Sequence, residues 1–155
     1  MISDWTRWMH ASVAAYLRTV ATTAGIPSLA EGLEERTTAF EEAQDRVEIR
    51  FNGPYTRRYS GLTEAKMSVN VLLTSNFGNK KKNAFSLDNA LGQFHSAMDA
   101  GIPLFKMGAP TDDLAQLGCL QVISDVKVFH FGQLDPKDRI RQGMVTASYL
   151  YHFNN

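Results

Sequence analysis

DRVEIRFNGPYTRRYSGLTEAKMSVNVLLT, residues Asp45–Thr74, decides the architecture of this chain. Val47, Ile49 and Phe51 alternate with Arg46, Glu48 and Arg50, and Met67, Val69, Val71 and Leu73 alternate with Lys66, Ser68 and Asn70. A period of two over such lengths marks strands with one face on a core and the other toward solvent or a partner. The two runs are therefore read as an antiparallel pair joined through a polar, basic middle. Asn52-Gly53-Pro54 ends or bends the first strand, because glycine accepts a positive φ and proline lacks a ladder donor. Tyr55–Ser60 then continues as an overhanging arm or forms a loop, and Gly61 allows the reversal.

Working outward, a first helix capped by Ser3 or Asp4 runs to about Ala24. Trp5, Met9, Val13, Tyr16, Leu17 and Val20 recur at helical spacing, and Gly25 and Pro27 stop it. Residues 28–44 read as loop or a short helical turn, and Asn76–Asn83 as a loop carrying Lys80, Lys81 and Lys82. Ser86 caps the clearest helix, with Leu87, Ala90, Leu91, Phe94, Ala97 and Met98 on one stripe and Gly101 beyond its end. Ile102–Met107 is a short apolar run. Leu117–Ile123 and Val126–Phe131 are strand candidates, and Arg139–Phe153 is a long closing strand with Val145, Ala147, Tyr149, Tyr151 and Phe153 on one face. The expected fold class is α+β, a mainly antiparallel sheet packed by an N-terminal and a central helix, as one domain over residues 1–155.

The chain has 155 residues and is long enough to bury roughly 70% of its unfolded surface. Sixteen basic residues balance sixteen acidic ones, which argues against a dedicated DNA-binding domain. The lone Cys119, in an apolar run, reads as a small buried hydrophobe in a reducing compartment. With no membrane-length apolar run and no apolar leader, the expectation is a cytoplasmic product that does not engage membranes.

Catalytic chemistry has no motif here. His10, His95, His130 and His152 fall in no metal-binding spacing, and no phosphate-binding glycine loop or nucleophile elbow is present. The adjacent pairs Glu34-Glu35 and Asp112-Asp113 point apart on a helix or a strand and read as solvated surface. No cofactor and no enzymatic activity are expected. Tyr55, Arg57, Arg58 and Tyr59 mix aromatic rings with guanidinium groups, as single-stranded nucleic-acid surfaces and subunit interfaces both do.

The element order, carried by DWTRWMHASVAAYLRTV, RVEIRFNGP, AKMSVNVLLTS, SLDNALGQFHSAMDAG and RIRQGMVTASYLYHF, resembles the tail terminator, or tail-completion, family of long-tailed bacteriophages. That resemblance implies a non-enzymatic virion protein, a hexameric ring that caps the tail tube at the head–tail junction and joins it to the neck. The implied partners are further copies of the chain, the tail tube protein, a head-completion or neck protein, and DNA passing through the lumen. The implied location is the virion, and the host cytoplasm during assembly. Tyr55, Arg57, Arg58, Tyr59, Tyr149 and Tyr151 are the candidate interface residues, with intramolecular core as the alternative for the last two. Lys80, Lys81 and Lys82 are candidates for lumenal DNA contact. The competing readings are another neck, adaptor or tube component, a small module that binds single-stranded nucleic acid, and an enzyme using His95 and His130.

Overall fold

The computed structural model describes residues 2–25, 29–31, 46–76, 86–133 and 140–154. The Lys80–Lys82 loop and most of the 28–44 segment lie outside the described residues. The elements are α1 (Ile2–Thr23), β1 (Leu29–Glu31), β2 (Arg46–Tyr59), β3 (Leu62–Asn76), α2 (Ser86–Asp99), β4 (Ile102–Phe105), β5 (Gln116–Val122), β6 (Lys127–Gln133) and β7 (Ile140–Asn154).

The fold is α+β, with one mainly antiparallel sheet in the order β1-β2-β3-β7-β5-β4. β3 and β7 form its centre and pair along their whole lengths, from Leu62 opposite Asn154 to Asn76 opposite Ile140. The short β1 runs parallel to β2, and every other pairing is antiparallel. β5 and β6 both lie along β7, one after the other, with Val122 opposite Tyr149 and Lys127 opposite Thr146. They behave as one long strand interrupted where residues 123–126 oppose only Ala147 and Ser148.

Both helices cover the same face, and period-two alternation selects it. Ala65, Met67, Val69, Val71 and Leu73 of β3 and Val145, Ala147 and Tyr149 of β7 are buried there. α1 meets them with Met9, Val13, Leu17 and Ala21, and α2 with Leu87, Ala90, Leu91, Phe94 and Met98. Each of the Val, Leu, Met and Phe side chains among these, taken fully from water, contributes about 1.5–3 kcal/mol before chain entropy is counted. α2 lies close on the backbone of β7: a side chain at Gly143 would place its Cβ 2.6 Å from a Leu91 methyl. The stripes read from the sequence are thus the ones that pack.

Two findings set the outline of the molecule: the structure selects the bend and continuation among the alternatives read for Asn52–Ser60, and it overturns the expectation for Cys119. β2 does not end at Asn52-Gly53-Pro54 but continues to Tyr59, and a two-residue turn at Ser60-Gly61 leads into β3. The pairing shifts between Asn52 (opposite Ser68) and Tyr55 (opposite Lys66), so Gly53 and Pro54 face Met67 together. This is a β-bulge. Gly53 has φ +107°, and a Cβ there would lie 2.8 Å from the Lys66 carbonyl oxygen, so only glycine fits. Cys119 is exposed on β5 rather than buried, since that strand lies toward the margin of the sheet.

Candidate functional site

The bulge decides what the Tyr55–Tyr59 segment presents. Before it, the odd-numbered residues Val47, Ile49 and Phe51 face the helices. After it the parity is reversed, and Tyr55, Arg57 and Tyr59 share the outer face with Lys66, Glu64 and Leu62, their partners on β3. Arg58, opposite the buried Thr63, belongs to the helix-side face. The sequence cluster is therefore divided: two tyrosines and one arginine on one side of the strand, the second arginine on the other.

Tyr55 is 65% exposed, and its hydroxyl donates to Asn52 Oδ1 at 2.6 Å. The Arg57 guanidinium lies 5.2 Å from the centre of the Tyr59 ring. α1 fastens β2 just short of this segment. The His10 ring stacks on Phe51 at 4.3 Å, and its Nε2 donates to the Gly53 carbonyl at 2.9 Å. β1 pairs only with Val47–Ile49 of β2, so among the described residues the outer edge of Tyr55–Tyr59 meets no strand.

The opposite margin of the sheet is built differently. β4 pairs with β5 on one side, and its other side lies against α1. The Phe105 N–H donates to Ser12 Oγ at 2.9 Å, and that hydroxyl donates to the Phe105 carbonyl at 3.2 Å. Pro103 removes a further donor from this edge. One buried serine and one proline thus close β4 to strand addition.

The loop after β4 is tied down by Asp112, whose carboxylate is almost fully buried. Arg7 donates to it through Nε and Nη2 at 3.3 and 3.1 Å, Trp8 through Nε1 at 3.2 Å, and the Ala109 N–H at 2.9 Å. Hydrogen bonding to Arg7, then to Trp8 and the Ala109 amide, holds the Asp112 carboxyl below the usual carboxylate range against the opposing effect of burial. The sequence placed Asp112 on solvated surface. Its side-chain partners Arg7 and Trp8 lie 105 and 104 positions away, which no local pattern reveals.

Tyr149 leaves the set of interface candidates. It is fully buried on the central strand, and its hydroxyl donates to the Met98 carbonyl at 2.8 Å. Burial, followed by the nearby Tyr16 and Asp99, raises its hydroxyl well above the usual phenol range. Tyr151 is half-buried and donates to the Leu117 carbonyl at 2.6 Å, edge-on to Phe153. Both rings serve the interior in the first instance, as the core alternative for them expected.

The outer sheet face carries a groove of about 480 Å³. Its floor is made by small polar side chains on the two central strands, Ser68, Asn70, Thr146 and Ser148, and its walls by Asn52 of β2 and Lys127 and Phe129 of β6. The Ser68 and Ser148 hydroxyls are 3.2 Å apart across the strands. Alternation explains the concavity: the positions between Met67, Val69 and Val71 hold short side chains, while the strands on either side hold long ones.

His130 lies 3.1 Å from Asp88 at the start of α2, and His152 lies 3.4 Å from Glu64. His95 is half-buried on α2. Among the described residues no three His, Cys, Asp or Glu side chains are grouped to hold a metal ion, and no helix is long and apolar enough to cross a membrane. No family model matches the chain, and no curated protein matches it.

Proposed function

We propose that this chain is a non-enzymatic virion subunit. It forms a hexameric ring as a tail terminator at the head–tail junction, caps the tail tube and joins it to the neck. The single observation that carries the reading is the pair of open margins on one sheet. Among the described strands, β2 from Tyr55 to Tyr59 pairs on one side only, with β3, and β6 pairs with β7 alone. The two margins differ in sequence: Tyr-Thr-Arg-Arg-Tyr on β2, and a β6 strand that exposes Val128 and Phe131.

A ring requires this kind of asymmetry, because each subunit must offer two different surfaces that complement one another head to tail. Unpaired strand edges supply backbone hydrogen bonds for such a contact, and Tyr and Arg are the residue types on which interface energy concentrates. The resemblance of the element order to tail terminators supplies the biological setting. In that setting the tail tube protein and a neck protein dock on the two sides of the ring, DNA passes through the lumen, and no cofactor takes part.

The test is the native mass of the purified chain over a concentration series, with images of the same sample. Closed rings of six subunits support the proposal. Symmetric dimers as the end state contradict it, because a dimer joins like surfaces instead of unlike ones.

A further inference from the structure

The outer sheet face has a second property, read for the single subunit before the Tyr55–Tyr59 edge joins another copy. Beyond the groove, Arg50 lies opposite Asn70, and Tyr55 and Arg57 lie opposite Lys66 and Glu64. Phe129 lies opposite Met144 and Lys127 opposite Thr146 at the other margin. Exposed aromatic rings therefore stand at both ends of one path, Phe129 at 42% exposure and Tyr55 at 65%. In register, the path covers about 20 Å along the strands and about 14 Å across them, a diagonal of about 25 Å.

The charge on this path is uneven. Arg50, Arg57, Lys66 and Lys127 are exposed along it. Against them stand Asp125 at the groove wall, Glu48, buried on the same face of β2 two residues before Arg50, and Glu64, which Lys66 and His152 already approach at 3.5 and 3.4 Å. Neither Arg50 nor Lys127 is paired with a carboxylate among the described residues.

We infer that this face binds a single strand of nucleic acid, with the groove as its central seat. One base stacks on Phe129 and another on Tyr55. The amides of Asn52 and Asn70 and the hydroxyls of Ser68 and Ser148 meet base edges or sugars, and the four cations meet phosphates. The chemistry selects this ligand because stacking platforms, a hydrogen-bonding floor and a basic surround occur together, as on other sheet faces that hold unpaired bases. A duplex keeps its bases stacked on one another and cannot use the rings. The formal neutrality of the whole chain does not oppose the inference, since the excess of positive charge is local to this face.

Fluorescence anisotropy of a labelled ten-nucleotide oligothymidylate, titrated with the intact chain at about 50 mM salt, tests it. Binding is expected below about 100 μM, with a log–log salt slope between about −2 and −3 from three or four phosphate contacts. Phe129→Ala is expected to weaken binding by roughly five- to a hundredfold, the loss typical of one stacked base. Lys127→Glu is expected to weaken it and to flatten the salt slope. Leu114→Ala, an exposed apolar residue on the loop after β4, is expected to leave it unchanged. Circular dichroism of each variant separates lost binding from lost folding.

Four results overturn the inference. One is no anisotropy change at about 100 μM protein. Another is an equal loss in Phe129→Ala and Leu114→Ala. A third is equal competition by polyglutamate of the same length, which would reduce the face to a general anion surface. The last is thymidine monophosphate competing as well as the oligomer, which would make it a mononucleotide site.

Discussion

The two margins of the sheet are finished in opposite ways. At β4, Ser12 from α1 satisfies both the N–H and the carbonyl of Phe105, and Pro103 withholds a donor. At β2, α1 reaches Phe51 and Gly53 through His10, and among the described residues no strand pairs with the outer edge of Tyr55–Tyr59. Unprotected edges invite pairing with other chains, and proteins usually blunt them with proline, charge, bulges or a covering element. The bulge at Gly53-Pro54 does not blunt this edge, because the strand resumes beyond it in full register with β3. It turns Tyr55, Arg57 and Tyr59 to the outer face instead. The contrast teaches that the sheet is closed where its helix lies and left available where its aromatic and basic residues are.

Breaking the β2 side at its bulge should have the largest effect. Gly53→Ala forces a non-glycine residue to φ +107° and sets a Cβ against the Lys66 carbonyl. A loss toward the upper end of about 1–3 kcal/mol is expected in urea unfolding, with the pairing of Tyr55–Tyr59 to β3 disturbed in hydrogen exchange. Opening the β4 side comes next. Ser12→Ala leaves the Phe105 N–H and carbonyl without their partner, at a cost of about 1–2 kcal/mol by the same measurement. It should also create a further open edge, detectable as irregular association in light scattering.

The Tyr55→Ala/Tyr59→Ala double variant sharpens the comparison from the other direction. Both rings are exposed, so stability should stay within about 0.5 kcal/mol of the parent while ring formation is lost. The smallest expected effect concerns Asp112, which anchors the loop beside β4. Its folded carboxyl lies below the usual value near 3.9, so the ionised form favours the anchored loop above that pH. That preference disappears as pH falls through the lowered value. In a Trp5→Phe background, Trp8 fluorescence should change in this acid window, and Asp112→Asn should abolish the transition.

Much of the fold was legible because period and burial coincide. The alternation through Val69, Val71 and Leu73, the stripe Leu87–Leu91–Phe94–Met98 and the closing run Val145–Ala147 each announce an element that exists as read. What was not legible depended on contacts distant in sequence. Asn52-Gly53-Pro54 reads equally as a strand end or a bend, and the choice is made by β3, which continues to supply partners while a bulge absorbs Gly53 and Pro54. For Tyr149 the strand pattern leaves interface and core both open, and core is selected because β7 is central and α2 lies across it. Asp112 and Ser12 have no local signature at all, since each is explained by a partner more than ninety positions away. The candidate interface was found as a composition, Tyr-Thr-Arg-Arg-Tyr. Its division between two faces needed the register.

The most direct test of the open-edge account is native mass spectrometry of the parent chain and the Tyr55→Ala/Tyr59→Ala variant over one concentration series, with tail tube protein added in a parallel series. Closed six-subunit rings from the parent and single subunits from the variant are the expected pair of results. A parent chain that stays a single subunit throughout, with and without tube protein, or a variant that forms the same rings, would contradict the assignment of β2 as the assembling edge.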